Sequence, residues 1–316
     1  MSNIMSVRNA YGEALVDCGT KYNQVVVVVA DVSSSVKTDF FEKRFPERLF
    51  NVGISEQCLV NVGVGLALEG FIPFVNTFAS LLLRSFEQIR TCVGYSNTNV
   101  KLVGSYAGIS DYKDGATHYS ICDIAVMRSI PNVTVVVPAD AIEVRKMLKE
   151  VAEWDGPVYF RLSRSDTPVV LSDSHEVSIG KGQVITKGSD LTIIAAGVMV
   201  ERSLRAAREL DQDGVQTRVI NMSTIKPLDK NLVLKAAQET GAIVTAEEHS
   251  IVGGLGSVVS EYISQTYPIP MEFIGINDIF VETGLNPEYL LDHFGMSVDD
   301  IVTAAKKVLG RKRNKK

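Results

Sequence analysis

Residues 25–30 read Val-Val-Val-Val-Val-Ala, an apolar run with no charge in it. A block this short and this β-branched fits a strand buried on both faces better than an amphipathic helix or a half-exposed strand. Similar blocks recur at Lys101–Ser105, Val133–Val137 and Val158–Leu162. Helical patterns lie around and between them at Val7–Tyr22, Gln57–Leu68, Arg84–Tyr95 and Ala141–Trp154, and Gly70–Leu83 reads as a buried strand running into a helix. Apolar strands alternating with helices predict a parallel sheet covered on both faces.

The alternation breaks at the polar passage Ser172-Asp-Ser-His-Glu-Val-Ser178 and resumes with strands at Leu191–Ala196, Thr217–Met222, Ala242–Ala246 and Phe273–Ile276. The pattern predicts an α/β protein of two doubly wound domains, 1–170 and 191–316, joined by a linker over 171–190. A chain of 316 residues is long enough for two cores.

Composition narrows the function classes. A net charge of −5 gives no basic footprint for a nucleic-acid partner, and the run Arg311–Lys316 reads as a frayed tail. Cysteines 18, 58, 92 and 122 form no C-x-x-C pair. They read as free thiols of a reducing cytoplasm, with neither a disulfide frame nor a metal site. Met1–Ser6 lacks the apolar core of a signal peptide. No uncharged stretch reaches the roughly 18–20 residues that span a bilayer, so no membrane partner is expected.

The chemistry starts at Asn51-Val-Gly-Ile-Ser-Glu56-Gln57, where a lone carboxylate stands at the mouth of an uncharged, Gly-rich segment, Cys58–Leu68. The helix macrodipole favours an acid there, and desolvation suits an acid that has to share a proton. A plain helix-start glutamate has the same spacing. Four further features fall at or just beyond the C-terminal ends of the predicted strands of the first half. They are Asp31-Val-Ser-Ser-Ser35, Thr77-Phe78, Lys113-Asp114-Gly-Ala-Thr-His118 and Arg161-Leu-Ser-Arg164. Open α/β sheets place their sites along that edge. Each feature alone has an ordinary reading: Phe78 as core, Asp31 and His118 as turn and helix-start residues, Arg164 as a strand-end arginine.

In combination, Gly53-Ile-Ser-Glu56, Lys113-Asp-Gly-Ala-Thr-His118 and Glu247-Glu-His-Ser-Ile-Val-Gly-Gly-Leu-Gly256 resemble the C-terminal half of transketolase, in the form where that enzyme is split into two chains. The resemblance runs from Ser6 to Val308. It implies a pyrimidine-binding domain followed by a transketolase C-terminal domain, with thiamine diphosphate bound between two chains. It further implies that Glu56 bonds the aminopyrimidine and activates the cofactor, that Phe78 walls the pyrimidine, and that Asp31 lines the same cleft. Leu81 and Arg84 stand where the common pattern has aromatic side chains, so that part of the cofactor wall is altered. Asp114 and His118 match residues that contact sugar hydroxyls, with His118 also counted as catalytic. Arg8, Ser35 and Arg164 match a phosphate clamp, whose usual histidine is replaced by Tyr106. The flanking Ser110-Asp-Tyr112 also departs from the family text, and Asp111 brings a negative charge there.

The chain lacks the Gly-Asp-Gly element, followed by paired asparagines, that holds the diphosphate and its divalent cation in this cofactor class. Magnesium or calcium would then sit mainly on an N-terminal partner subunit, with two of each chain in the assembly. Gly253-Gly-Leu-Gly256 matches a structural turn of the C-terminal domain rather than a phosphate loop, and His249 reads as an interface or core residue. Rival readings are the beta-type subunit of a 2-oxo acid dehydrogenase, a deoxyxylulose-phosphate synthase-like half, or a non-catalytic regulatory homologue. The function expected is transfer of a two-carbon ketol unit between sugars, phosphorylated or not, by a two-chain enzyme of carbohydrate metabolism such as the pentose phosphate interconversions.

Overall fold

The computed structural model describes residues 3–313. The chain opens with β1 (Ile4–Ser6) and lays down β2 (Val25–Val29), β3 (Leu49–Asn51), β4 (Ile72–Phe78), β5 (Lys101–Ser105), β6 (Thr134–Val136) and β7 (Val158–Arg161). It then returns as β8 (Asp166–Pro168), which pairs antiparallel with β1. A second set follows: β9 (Gln183–Thr186), β10 (Leu191–Ala195), β11 (Thr217–Asn221), β12 (Thr224–Lys226), β13 (Ile243–Ser250) and β14 (Met271–Ile276). The first sheet has the order β12-β6-β7-β5-β4-β2-β3 and is parallel apart from β12. The second has the order β14-β13-β10-β11-β9 and is parallel apart from β9. The α/β architecture is therefore the one the strand pattern predicts.

The valine run shows why both faces are covered. Val25 and Val27 pack with Tyr11, Leu15, Val144 and Leu148 from the Val7–Lys21 and Ala141–Glu153 helices. Val28 and Ala30 belong to the core on the other side, with Leu59 and Val60 of the Glu56–Leu68 helix. That alternation is the period of a strand. Asp140 caps the Ala141–Glu153 helix by accepting from Glu143 N at 2.9 Å. Its second oxygen accepts from Val170 N and Leu171 N at 2.7 and 2.8 Å, which pins the exit of the first half to that helix start.

Three expectations need correction. The span 171–190 is not simply a linker, because it contains β9, an edge strand of the second sheet. The Arg84–Tyr95 segment is not one α-helix. It is a 3-10 turn (Leu83–Ser85), a short helical turn (Phe86–Gln88) and a π-helical stretch (Ile89–Tyr95). The hydroxyls of Ser96 and Thr98 reach back to the carbonyls of Thr91 and Cys92, at 3.3 and 3.1 Å. Side-chain donors there compete with the α-helical ladder. The basic tail does not fray where expected, since the last helix runs from Val298 through Arg313; positions 314–316 of that tail lie outside the described residues.

The halves interlock. β12 comes from the second half of the chain yet extends the first sheet. Around it, Val137 N donates to Ser223 O at 2.7 Å and Asn221 Nδ2 donates to Glu143 Oε1 at 2.9 Å. Ile109 N donates to Glu248 Oε1 at 2.8 Å, and Arg161 Nη2 to Glu248 O at 2.9 Å. One apolar core holds Val28 and Val75 together with Ile194, Ile220 and Val233. The free cysteines are Cys18, which is buried, Cys92, half-buried, and Cys58 and Cys122, exposed. No helix among the described residues is long and apolar enough to cross a membrane.

Candidate active site at the edge of the first sheet

Parallel strands bring their C-terminal ends to one edge, and the candidate residues stand along it. Asp31 follows β2, Asn51 ends β3, Phe78 ends β4, Tyr106 follows β5 and Arg164 follows β7. Their joint placement comes from sheet order and not from sequence distance.

At one end, Glu56 is the first residue of its helix and is 5% exposed. Its carboxylate lies 3.7 Å from Arg84 Nε, and that arginine is largely solvent-exposed. An ion pair with one exposed partner contributes no more than about 1 kcal/mol, so Glu56 has a counter-charge that is easily moved. The turn before it is held by Asn51, which is missing from the residues expected on sequence grounds. Asn51 Oδ1 accepts from Asp31 N at 3.1 Å and from Gly53 N at 3.0 Å. Its Nδ2 donates to Asp31 Oδ1 at 3.1 Å. Asp31 has positive φ, 58°, which a residue with a side chain holds only with outside support, while Gly53 takes its φ of 73° without strain. The available signal was position: an asparagine ending a strand two residues before a glycine, a frequent turn maker.

In the middle, Tyr106 stacks on Phe78 with ring centroids 4.1 Å apart and planes 17° from parallel. His118 approaches Phe78 edge-on at 6.3 Å, and its Nδ1 is 3.1 Å from Thr117 Oγ1. Tyr106, at φ 58°, is nearly buried. Arg8 Nη1 donates to the Tyr106 hydroxyl at 2.9 Å and to the Ser35 carbonyl at 3.0 Å. Arg8 and Arg164 both stand over the Tyr106 ring, at 5.2 and 5.5 Å from its centroid. Tyr106 therefore joins the aromatic and cationic groups into one cluster.

At the other end, Arg164 Nε lies 2.8 Å from Asp111 Oδ1. Asp111 is 2% exposed. Burial first, and then the neighbouring Asp114, push its carboxyl up to about 7 against the opposing pull of Arg164 and Arg8. Asp114 is exposed, on the Asp111–His118 turn. Ser110 Oγ accepts from Arg164 N at 3.0 Å and from Ser163 Oγ at 2.8 Å, so the 110–111 loop is fastened to the end of β7. Leu81 lies half-buried in the short Ala79–Leu82 helix after Phe78.

The residues present fit one half of a thiamine cofactor. Glu56 supplies a buried acid and Phe78 a ring at the same sheet edge. Buried polar atoms nearby have no hydrogen-bond partner within the chain: Arg8 Nε, Thr77 Oγ1, Ser105 Oγ, Asp111 Oδ2, Tyr119 Oη and Arg164 Nε, whose contact with Asp111 is an ion pair only. Among the described residues no cluster of His, Cys, Asp and Glu could hold a metal ion.

Residues 3–169 match the transketolase pyrimidine binding domain, and residues 180–301 match the transketolase C-terminal domain. The chain belongs to the transketolase family. The chain is 41% identical over 299 residues to a putative transketolase C-terminal section of Methanocaldococcus jannaschii, covering 93% of each. It is 38% identical over 307 residues to a 6-deoxy-6-sulfo-D-fructose transketolase subunit of a Clostridium species, covering 97% of this chain and 95% of that one. Among solved structures it superposes with TM-score 0.92 and 46% identity on a split-gene transketolase described as an inactive beta4 tetramer, covering 98% of this chain and all of that one. It thus has two domains of a thiamine-diphosphate enzyme family, the pyrimidine-binding and the C-terminal one.

Proposed function

We propose that the chain is the C-terminal subunit of a two-chain transketolase that moves a two-carbon ketol unit from a ketose to an aldose. An N-terminal subunit would carry the diphosphate and its magnesium or calcium ion, two of each chain forming a cytoplasmic heterotetramer with sites at the interfaces. The observation that carries this reading is the buried carboxyl of Glu56 at a helix start on the sheet edge. Bound there, thiamine diphosphate supplies an electron sink for breaking and making the bond to the transferred unit. Glu56 would hold a proton at the aminopyrimidine ring nitrogen, a task that needs an acid shielded from water. Phe78, its ring fixed by Tyr106, would wall the pyrimidine together with Leu81, and Arg84 would balance Glu56 until the partner docks. Asp31, locked to Asn51, would line that cleft.

His118 and Asp114 would meet the sugar hydroxyls, His118 also relaying a proton at the reacting carbonyl. Arg8, Ser35, Tyr106 and Arg164 would meet the far end of the sugar, which in pentose phosphates is a phosphate. The description of the 46% identical neighbour as an inactive tetramer of one chain type supports the need for a partner. The test is exchange of the thiazolium C2 proton for deuterium in the reconstituted pair. Glu56→Gln is expected to slow that exchange at least 100-fold, and unchanged exchange would remove the proposal. Full ketol transfer by the isolated chain would refute the partner requirement.

A further inference from the structure

Both guanidinium groups at the sugar end of the site are engaged within the chain. Arg8 donates to the Tyr106 hydroxyl and the Ser35 carbonyl. Arg164 faces a carboxylate, Asp111, at 2.8 Å. The second pair is built in, not a stray surface contact. Asp111 is almost wholly shielded while Arg164 keeps 30% of its side chain exposed. The loop carrying Asp111 is fastened to the 163–164 segment through Ser110, and the preceding Ala107 N donates to Leu162 O at 3.0 Å. The second Asp111 oxygen and Arg164 Nε are both buried without a hydrogen-bond partner, so the pair is held by charge, with Arg8 the other cation acting on this carboxyl.

We propose that Asp111 is a specificity-determining residue: its carboxyl lies against the buried Nε side of Arg164 and offsets that cation from inside, so an anionic sugar tail meets a guanidinium already partly neutralised. The inference rests on the sugar-binding reading of this edge and deepens it by naming the tail. The site is set against a doubly charged phosphate and favours a ketose or aldose whose far end is uncharged or singly charged. The cost to a phosphate is electrostatic. It pairs with a cation whose charge Asp111 offsets, and it meets a second acidic side chain, Asp114, on the same turn. Loss of one charge-assisted contact corresponds to roughly tenfold or more in affinity.

Sulfate, whose charge does not change near neutral pH, is the probe. The full chain is titrated with sulfate by calorimetry at about pH 8, above the titration of Asp111, as wild type, Asp111→Asn, Asp111→Ser and Asp111→Asn/Arg164→Ala. Asp111→Asn is expected to bind at least tenfold tighter than wild type, and the double variant to lose that gain. Asp111→Ser, of different shape, gives the same reading should the asparagine variant fail a circular-dichroism check of folding. Equal or weaker sulfate binding in a folded Asp111 variant overturns the proposal, as does a gain that survives removal of Arg164. In the reconstituted pair, the ratio of KM for a phosphorylated acceptor to KM for its unphosphorylated counterpart should fall by a similar factor. A pair that transfers no ketol unit from any sugar would sink the proposed function, while the sulfate titration would still decide the role of Asp111.

Discussion

The hydroxyl of Tyr106 accepts a hydrogen bond from Arg8 Nη1 at 2.9 Å while its ring lies on Phe78 with centroids 4.1 Å apart. One side chain thus joins the part of the edge assigned to the cofactor with the part assigned to the sugar. Tyr106→Phe keeps the stack and removes a bond from a charged donor, and should lower stability by about 1.5–3 kcal/mol. Tyr106→Ala removes both and should cost about 3–5 kcal/mol, the range for losing a buried aromatic. Urea unfolding of both variants checks the ordering, and equal losses would mean that the stack contributes nothing.

Asn51 spans the turn ahead of Glu56 with three side-chain hydrogen bonds. Asn51→Asp keeps an acceptor, loses the donor to Asp31 and sets two carboxylates side by side. It should slow the reconstituted enzyme more than Asn51→Ala, which loses the bonds without adding repulsion. Each is expected to reduce kcat by about tenfold or more, since small misplacements of a catalytic group are costly. Steady-state kinetics of the pair gives the comparison, and an Asn51→Asp enzyme faster than Asn51→Ala would contradict it.

The ion pair of Arg161 with Asp123, at 2.7 Å, is buried on both sides. Asp123 also accepts from the Tyr159 hydroxyl at 2.7 Å. Arg161 overcomes the burial of Asp123 and holds its carboxyl below the usual carboxylate range. Asp123→Ala takes the hydrogen-bonded counter-charge from a buried guanidinium and should destabilise the chain by about 3–5 kcal/mol. Because Arg161 also donates to Glu248 O, the loss should loosen the junction between the halves. Denaturant midpoints measure the first effect, and protease cutting near 170–190 the second.

Glu143 accepts from Ala139 N at 2.7 Å and from Asn221 Nδ2 at 2.9 Å. Burial pushes its carboxyl up to about 7, with Asp140 adding to the shift and the donors from Ala139, Asn221 and Ser223 opposing it. An unfolded glutamate titrates near 4.3. The folded state therefore holds the proton more tightly, so this contribution to stability is complete below about pH 4 and is lost as pH rises through about 7. Glu248, raised to about 7 by burial despite Arg161, acts in the same direction. Stability should fall between about pH 4 and pH 7 and level off above, with a slope on the order of 1 kcal/mol per pH unit per group. Glu143→Gln should flatten part of that slope in melts across the range, and an unchanged slope would remove Glu143 from the account.

The chain order of its residues was enough to read the α/β class and the strand ends that carry the edge residues, from Asp31 to Arg164. Strand periodicity and apolar runs are local properties, and a parallel sheet puts all its strand ends on one side. The same locality explains how Glu56 could be placed at a helix start, since an uncharged segment directly follows it. What only the tertiary structure decided are pairings across long separations: Asn51 with Asp31, Tyr106 with Arg8, Asp111 with Arg164, and β12 completing a sheet begun 200 residues earlier. β12 is a three-residue strand, too short to carry a period. A charge written into a loop, such as Asp111, has no partner until the fold sets an arginine against it, because Coulomb attraction depends on distance in space and on how much water lies between.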